Sequence, residues 1–414
     1  MADKRTGGIL HSQDRKFAVI HYAWIAALLS LTPLIGIVYL GFPPGPYLEF
    51  PPTTKHVAHA RFSWPVFLVL LSFITAACAP FLLRLVTYKA TEERAATGER
   101  AATGERAEKR NPLPWWGCLG IVVVLVSWIL AWNRFSFFES LQPYTFTPLW
   151  LGYILTVNGL TCRRKGSCLL VSRPHFFLAL FAASALFWWY FEYLNRFVQN
   201  WYYIAGGDIS PAEYVIHASI CFSTVLPAVL STYELLRTIP RLEDAYTDWR
   251  PVSLQGRKGV GLLLVAGPAV SLACLAVYPD YLFPLVWISP LLVIMGVRIL
   301  TRAPNIFAGI QKGNWHPVIL SALAALICGF FWELWNWKSL AHWEYSVPYV
   351  DRFRIFAMPL LGYAGYLPFG PECYAAAALL TKEPPVTSRY FDNSQALITE
   401  NIKQEQRETK CQMD

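Results

Sequence analysis

The sequence predicts an all-α fold: a polytopic transmembrane helical bundle of about ten spans, with an internal parallel duplication of a four-helix unit. Three observations predict it. Of 414 residues, 55% are apolar and 15% charged, whereas a soluble domain carries about a quarter charged residues. The apolar residues form long runs instead of alternating. The basic residues sit in short loops between those runs, where the positive-inside rule puts them. The net charge of +8 is therefore read as topology and not as a nucleic-acid footprint. The expected partner is the lipid bilayer, with no nucleic acid.

The expected spans are Phe17–Gly41, Phe62–Tyr88, Leu113–Trp132, Thr145–Leu160, Pro174–Asn195, Pro211–Leu236, Gly259–Tyr278, Tyr281–Leu300, His316–Trp337 and Phe353–Leu380. At 1.5 Å rise per residue each covers a hydrocarbon core of ~30 Å, the fourth only with its flanks included. The first run is too long for a signal-peptide core and lacks a small-residue cleavage site. Cations cluster in the head, after spans two, four and six, and again after span eight, among them Arg84, Arg163, Arg241 and Arg302. They share one side if both termini are cytoplasmic, which implies an integral protein of the bacterial inner membrane. The tandem RAATGERAATGE from Arg94 reads as an exposed polar loop without chemistry. The cysteines read as unpaired thiols: most lie within apolar runs, and Cys162 and Cys168 flank a basic loop with no metal-ligand partner nearby.

The duplication rests on one motif. Residues 187–203 read FWWYFEYLNRFVQNWYY and residues 330–345 read FFWELWNWKSLAHWEY. Glu192 precedes Asn195 by three, and Glu333 precedes Asn336 by three, so each pair shares a helix face. Trp201 and Tyr203 follow the first pair, Trp343 and Tyr345 the second. His175 and His316 each lie seventeen residues upstream of their Glu. Four spans per unit, an even number, give both the same orientation, a parallel repeat. The chain then divides into 1–111 (two added spans and a polar loop), 112–240 and 258–380 (the repeats), and 381–414 (a polar tail). A pseudo-twofold axis would bring the two motif faces together.

An intramembrane carboxylate needs a partner or a purpose. Glu192 and Glu333 could be packing hydrogen-bond partners of Asn195 and Asn336, general acids in a desolvated pocket, or a transport or ion site. The tryptophans, Trp332 among them, could form an interfacial belt or line a pocket that holds a polyene or a carbocation. Glu213 and His217 lie one turn apart after Ser210-Pro211: a helix start favoured by the dipole, or a site. Glu372 lies in GYAGYLPFGPECY, whose glycines and prolines predict a broken helix and a cavity wall. His175 and His316 lie about 25 Å from the Glu motif by helix rise and fall outside that site. No metal or nucleotide motif occurs, and neither metal nor cofactor is expected.

WYYIAGGDISPAEYVIH (201–217) resembles the small-membrane-protein lycopene cyclases of bacteria, archaea and fungi. Their repeats carry an acidic residue at a helix end, then W-x-[FY], then Pro-x-Glu-Glu. Glu192, Trp201, Tyr203, Pro211 and Glu213 match one repeat; Glu333, Trp343 and Tyr345 match the other. The resemblance implies a duplicated helical enzyme that protonates a polyene end. Tyr214 replaces the second acidic residue, Met358-Pro359-Leu360-Leu361 stands where the second pair belongs, and the family's units have about three spans. The MPLLGYAGYLPFGPE segment also resembles uncharacterised bacterial membrane proteins. The expected function is intramembrane acid catalysis that cyclises or isomerises an apolar isoprenoid or lipid. Glu192 and Glu333 would be the acids and Asn195 and Asn336 would orient them. A transporter or lipid-binding protein, or a structural subunit of a membrane complex, would use the same residues.

Overall fold

The computed structural model describes residues 23–88, 111–204, 210–253, 258–303, 305–381 and 385. The expected start of the first span, the RAATGE repeat and the tail lie outside them. The described chain is mostly helical. Among the described residues five helices are long and apolar enough to cross a membrane: α2 (Trp64–Thr87), α3 (Trp115–Trp132), α5 (Pro174–Val198), the pair α6 (Pro211–Phe222) and α7 (Val225–Leu236) taken together, and α10 (His316–Asn336). Between and around them run α1 (Ala23–Tyr39), α4 (Phe146–Lys165), α8 (Lys258–Ala273), α9 (Ser289–Leu300) and α11 (Tyr366–Ala377). Proline opens several of them, at Pro174, Pro211 and Pro317, where its missing N–H costs nothing. The fourth helix is longer than expected and ends at Gly166 in the left-handed conformation (φ 84°), just past Arg163, Arg164 and Lys165, which suit the dipole at a C-terminus.

Two expected spans take other forms. Residues Tyr281–Leu300 bend by 58° between a short segment, Pro279–Trp287, and α9. Phe353–Leu380 is not one helix. It begins as a hairpin of β3 (Arg354–Ile355) and β4 (Met358–Pro359), passes through a 3-10 segment, Leu360–Gly365, and only then enters α11. Phe353 and Phe356, both at φ 56°, turn the chain there, and Pro359 could not donate a helical hydrogen bond. Apolar composition suggested one continuous helix; the chain instead turns over 353–359 before it enters α11.

Small residues set the closest approach of α3 to α4. A Cβ on Gly159 would lie 2.8 Å from the Cα of Gly117, so only paired glycines let these backbones meet. Bulky rings fill the centre instead: Trp150, Phe191, Trp335 and Phe369 are all but wholly buried. Cys162 and Cys168 are free thiols with Sγ atoms 2.8 Å apart.

Two further strands, β1 (Trp201–Ile204) and β2 (His342–Tyr345), follow α5 and α10 and pair antiparallel, with Trp201 opposite Tyr345 and Tyr203 opposite Trp343. The segment before α2 covers this strand end: Ser346 Oγ donates to Val57 O (2.6 Å), and His59 sits between Asp280 (2.7 Å) and Gln199 O (3.2 Å). Helix α2 is fastened at both ends. Ser63 N donates to Tyr349 O (2.9 Å) at one; at the other Arg84 reaches Ala245 O (2.8 Å) and Asp248 (2.9 Å), and Tyr246 Oη donates to Phe81 O (2.8 Å).

Candidate functional site

Strand side chains alternate between faces. Trp201 and Tyr203 therefore hang from one face of the β1–β2 ribbon, and their cross-strand partners Tyr345 and Trp343 hang from the same face. The opposite face carries Tyr202 and Glu344, joined by a hydrogen bond of 2.6 Å from phenol to carboxylate. The ribbon thus aims four rings at the ends of α5 and α10, where the two carboxyls lie.

Glu192 is wholly buried. Its Oε1 accepts from Trp188 Nε1 (3.0 Å), one turn back on the helix, and from Trp201 Nε1 (3.1 Å) and Tyr203 Oη (2.6 Å) on the strand. Glu333 is equally buried. Its Oε1 accepts from Tyr345 Oη (2.7 Å) and from Tyr366 Oη (3.0 Å) at the start of α11, while Trp343 Nε1 donates to Tyr345 Oη (2.7 Å). In both carboxyls the second oxygen, Oε2, has no protein partner. Burial first, and then the neighbouring carboxyl, push the Tyr203 and Tyr345 phenols well above their ordinary value, so each holds its proton.

These rings surround one cavity of about 630 Å³. Trp188, Trp201, Tyr203, Trp287, Trp332, Trp343, Tyr345, Tyr366 and Phe369 all line it, with aliphatic side chains around them. Trp287 stacks on Phe191 (5.2 Å between centroids) and tilts against Trp201 (5.4 Å); Trp332 stacks on Tyr366 (5.9 Å). Such packing holds ring faces in place, and a ring face attracts positive charge. Glu192 and Glu333 are not themselves in the lining. The tyrosines bonded to them, Tyr203, Tyr345 and Tyr366, are.

The structure thus brings together Glu192, Glu333, Trp201, Tyr203, Trp332, Trp343 and Tyr345, and sets His217 in the cavity wall, its Nε2 3.5 Å from Cys221 Sγ. The other expected residues serve elsewhere. The amides of Asn195 and Asn336 bond backbone, not the acids. Asn195 Nδ2 donates to Trp201 O (2.8 Å) and its Oδ1 accepts from Asn200 N (2.9 Å) and Trp201 N (3.4 Å). Asn336 does the same with Trp343 O (2.7 Å) and Trp343 N (2.8 Å). Each amide fixes the turn from helix to strand. Glu213 is exposed and forms a capping box with Ser210 at the start of α6. Glu372 is wholly buried in α11, with neither oxygen bonded to protein, and lies outside the cavity lining. Tyr366 and Trp287 are the main omissions of sequence reasoning. Tyr366 lies 33 residues from the carboxyl it serves, and no local spacing announces it. Among the described residues no three His, Cys, Asp or Glu side chains converge to hold a metal. No family model, curated protein or solved structure matches the chain.

Proposed function

We propose that this chain is an integral-membrane enzyme that isomerises or cyclises an apolar isoprenoid or lipid by intramembrane acid catalysis. The observation that carries the reading is the pair of wholly buried carboxyls, each bonded to a tyrosine hydroxyl at the wall of one aromatic cavity. The proton comes from one carboxyl and is relayed through Tyr203, or through Tyr345 or Tyr366: the phenol gives its proton to one carbon of an alkene as it takes the carboxyl's, so no free phenolate forms. The cation that forms on the neighbouring carbon faces tryptophan rings. Loss of a proton from an adjacent carbon to the other carboxyl–tyrosine pair restores an alkene, so mass is conserved. In this reading the chain crosses the bacterial inner membrane about ten times, α4, α9 and α11 included, with both termini cytoplasmic. The like arrangement of Glu192–Asn195–Trp201–Tyr203 and Glu333–Asn336–Trp343–Tyr345 supports a parallel duplication of four helices. It also agrees with the resemblance to small lycopene cyclases.

The test compares lipid and pigment extracts by mass spectrometry. One host makes the wild type, and another the Glu192→Gln, Glu333→Gln double variant at matched membrane levels. A species that changes retention but not mass is expected. Indistinguishable extracts overturn the enzymatic reading and favour a lipid-binding or transport role for the same cavity.

A further inference from the structure

One wall of the cavity belongs to α2. Leu70, Phe73, Ile74, Ala77 and Cys78 line it, at the i, i+3, i+4, i+7, i+8 spacing of a single helix face. Such a face normally packs on protein. Here Phe73 lines the cavity yet remains 69% exposed, because α2 stands off from the bundle between its two fastened ends. The facing wall is α6 with the start of α7, from His217 to Val225.

Depth follows from helix rise. Cys78 lies fourteen residues from the start of α2 and Val225 fourteen from the start of α6. Both helices start at the strand end, so both walls stop about 20 Å below it. Of the polar groups of the lining, Asn200, Tyr203, His342 and Tyr345 are at the strand end and His217, six residues into α6, is about 9 Å below it; the deep end has Cys78, Phe222 and Val225. The space is a slot, polar at one end and apolar at the other, and it holds about 20 groups the size of a water or a methylene. A compact solute would leave the deep end empty, whereas a chain fills it.

We propose that the slot takes one long hydrocarbon chain, lengthwise, drawn from the surrounding lipid past α2, and that Ala77 and Cys78 fix the longest chain it accepts. This rests on the membrane enzyme reading above and names its class of substrate. The small side chains at positions 77 and 78 set the floor low. A larger one raises the floor.

The experiment measures binding without turnover. Purified full-length protein in detergent is titrated with a homologous series of polyprenols, and retention is read by native mass spectrometry. Wild type should show a sharp upper length for retention. Ala77→Trp should lower that limit by at least one isoprene unit. Ser72→Trp, on the opposite exposed face of α2, should leave it unchanged and reports on folding and on lipid adhering to the outside. An equal limit in Ala77→Trp and wild type, or no saturable retention by wild type, overturns the proposal. If the limit moves but extracts from the acid double variant match wild type, the acid chemistry fails and the chain slot stands. The reverse pattern does the opposite.

Discussion

Replacing Asn195 with leucine, nearly the same size, tests whether the amides hold the ribbon or act on a ligand. The change removes three hydrogen bonds, and in the packed turn it strands the Asn200 and Trp201 N–H groups and the Trp201 carbonyl. A stranded buried group costs about 1–3 kcal/mol. Pairwise hydrogen-bond deletions within membranes average nearer 0.6 kcal/mol, but there both partners find substitutes. Here the backbone groups are fixed at a strand end, so the larger figure applies. About 3 kcal/mol is expected for Asn195→Leu, and about 2 kcal/mol for Asn336→Leu, which removes two bonds. Both amides tie down the same two-stranded ribbon, so the double variant should lose less than the sum. Unfolding by sodium dodecyl sulfate from a mild detergent, followed by far-UV circular dichroism, measures each. Single variants within about 0.5 kcal/mol of wild type would refute a structural role for the amides. Loss of conversion at unchanged stability would instead put them on the ligand.

Tyr366→Phe should lower conversion with little loss of stability, since Glu333 retains Tyr345, and rates at matched fold measure it. Gly370→Ala should destabilise the protein, because an added Cβ at that position meets the Ser321 carbonyl of α10; thermal unfolding checks this. Ser210→Ala removes the capping box of α6 and should cost about 1 kcal/mol, read by the same unfolding assay. The Tyr202 phenol, outside the spans, is pushed up to about 12, chiefly by its bond to Glu344. Its folded value exceeds its unfolded one, so that bond stabilises fully below about pH 10 and fades as pH rises through about 12. Tyrosinate absorbance should show this titration, and Glu344→Gln should bring it down.

Several helix starts were legible in the sequence because proline marks them, at Pro174, Pro211 and Pro317; the end of α4 was not, because Arg163, Arg164 and Lys165 read as loop and yet form its last turn. The Glu, Trp and Tyr of the site were legible because the same polar group stands out twice from an apolar run. The role of the asparagines was not. A spacing of three puts Asn195 on the face of Glu192, but that face also meets the returning backbone, whose unpaired N–H groups are nearer and compete for the amide. The hairpin at 354–359 was hidden because apolar composition cannot tell a lipid-facing helix from a half-exposed hairpin. The α2 stripe was hidden as well, since every face of that helix is apolar and no periodicity stands out.

The pairing of β1 with β2 has a mechanical consequence. Glu192 is bonded to Trp201 and Tyr203 on one strand, and Glu333 to Tyr345 on the other. The strands are linked across Trp201 and Tyr345 and across Tyr203 and Trp343. The ribbon is therefore a yoke. A tilt of α5 that widens the cavity at its own acid drags β1, then β2, and with it the phenol on the other acid. The two carboxyl–tyrosine pairs would open and close as one jaw, so a ligand that seats against one acid also sets the geometry of the other.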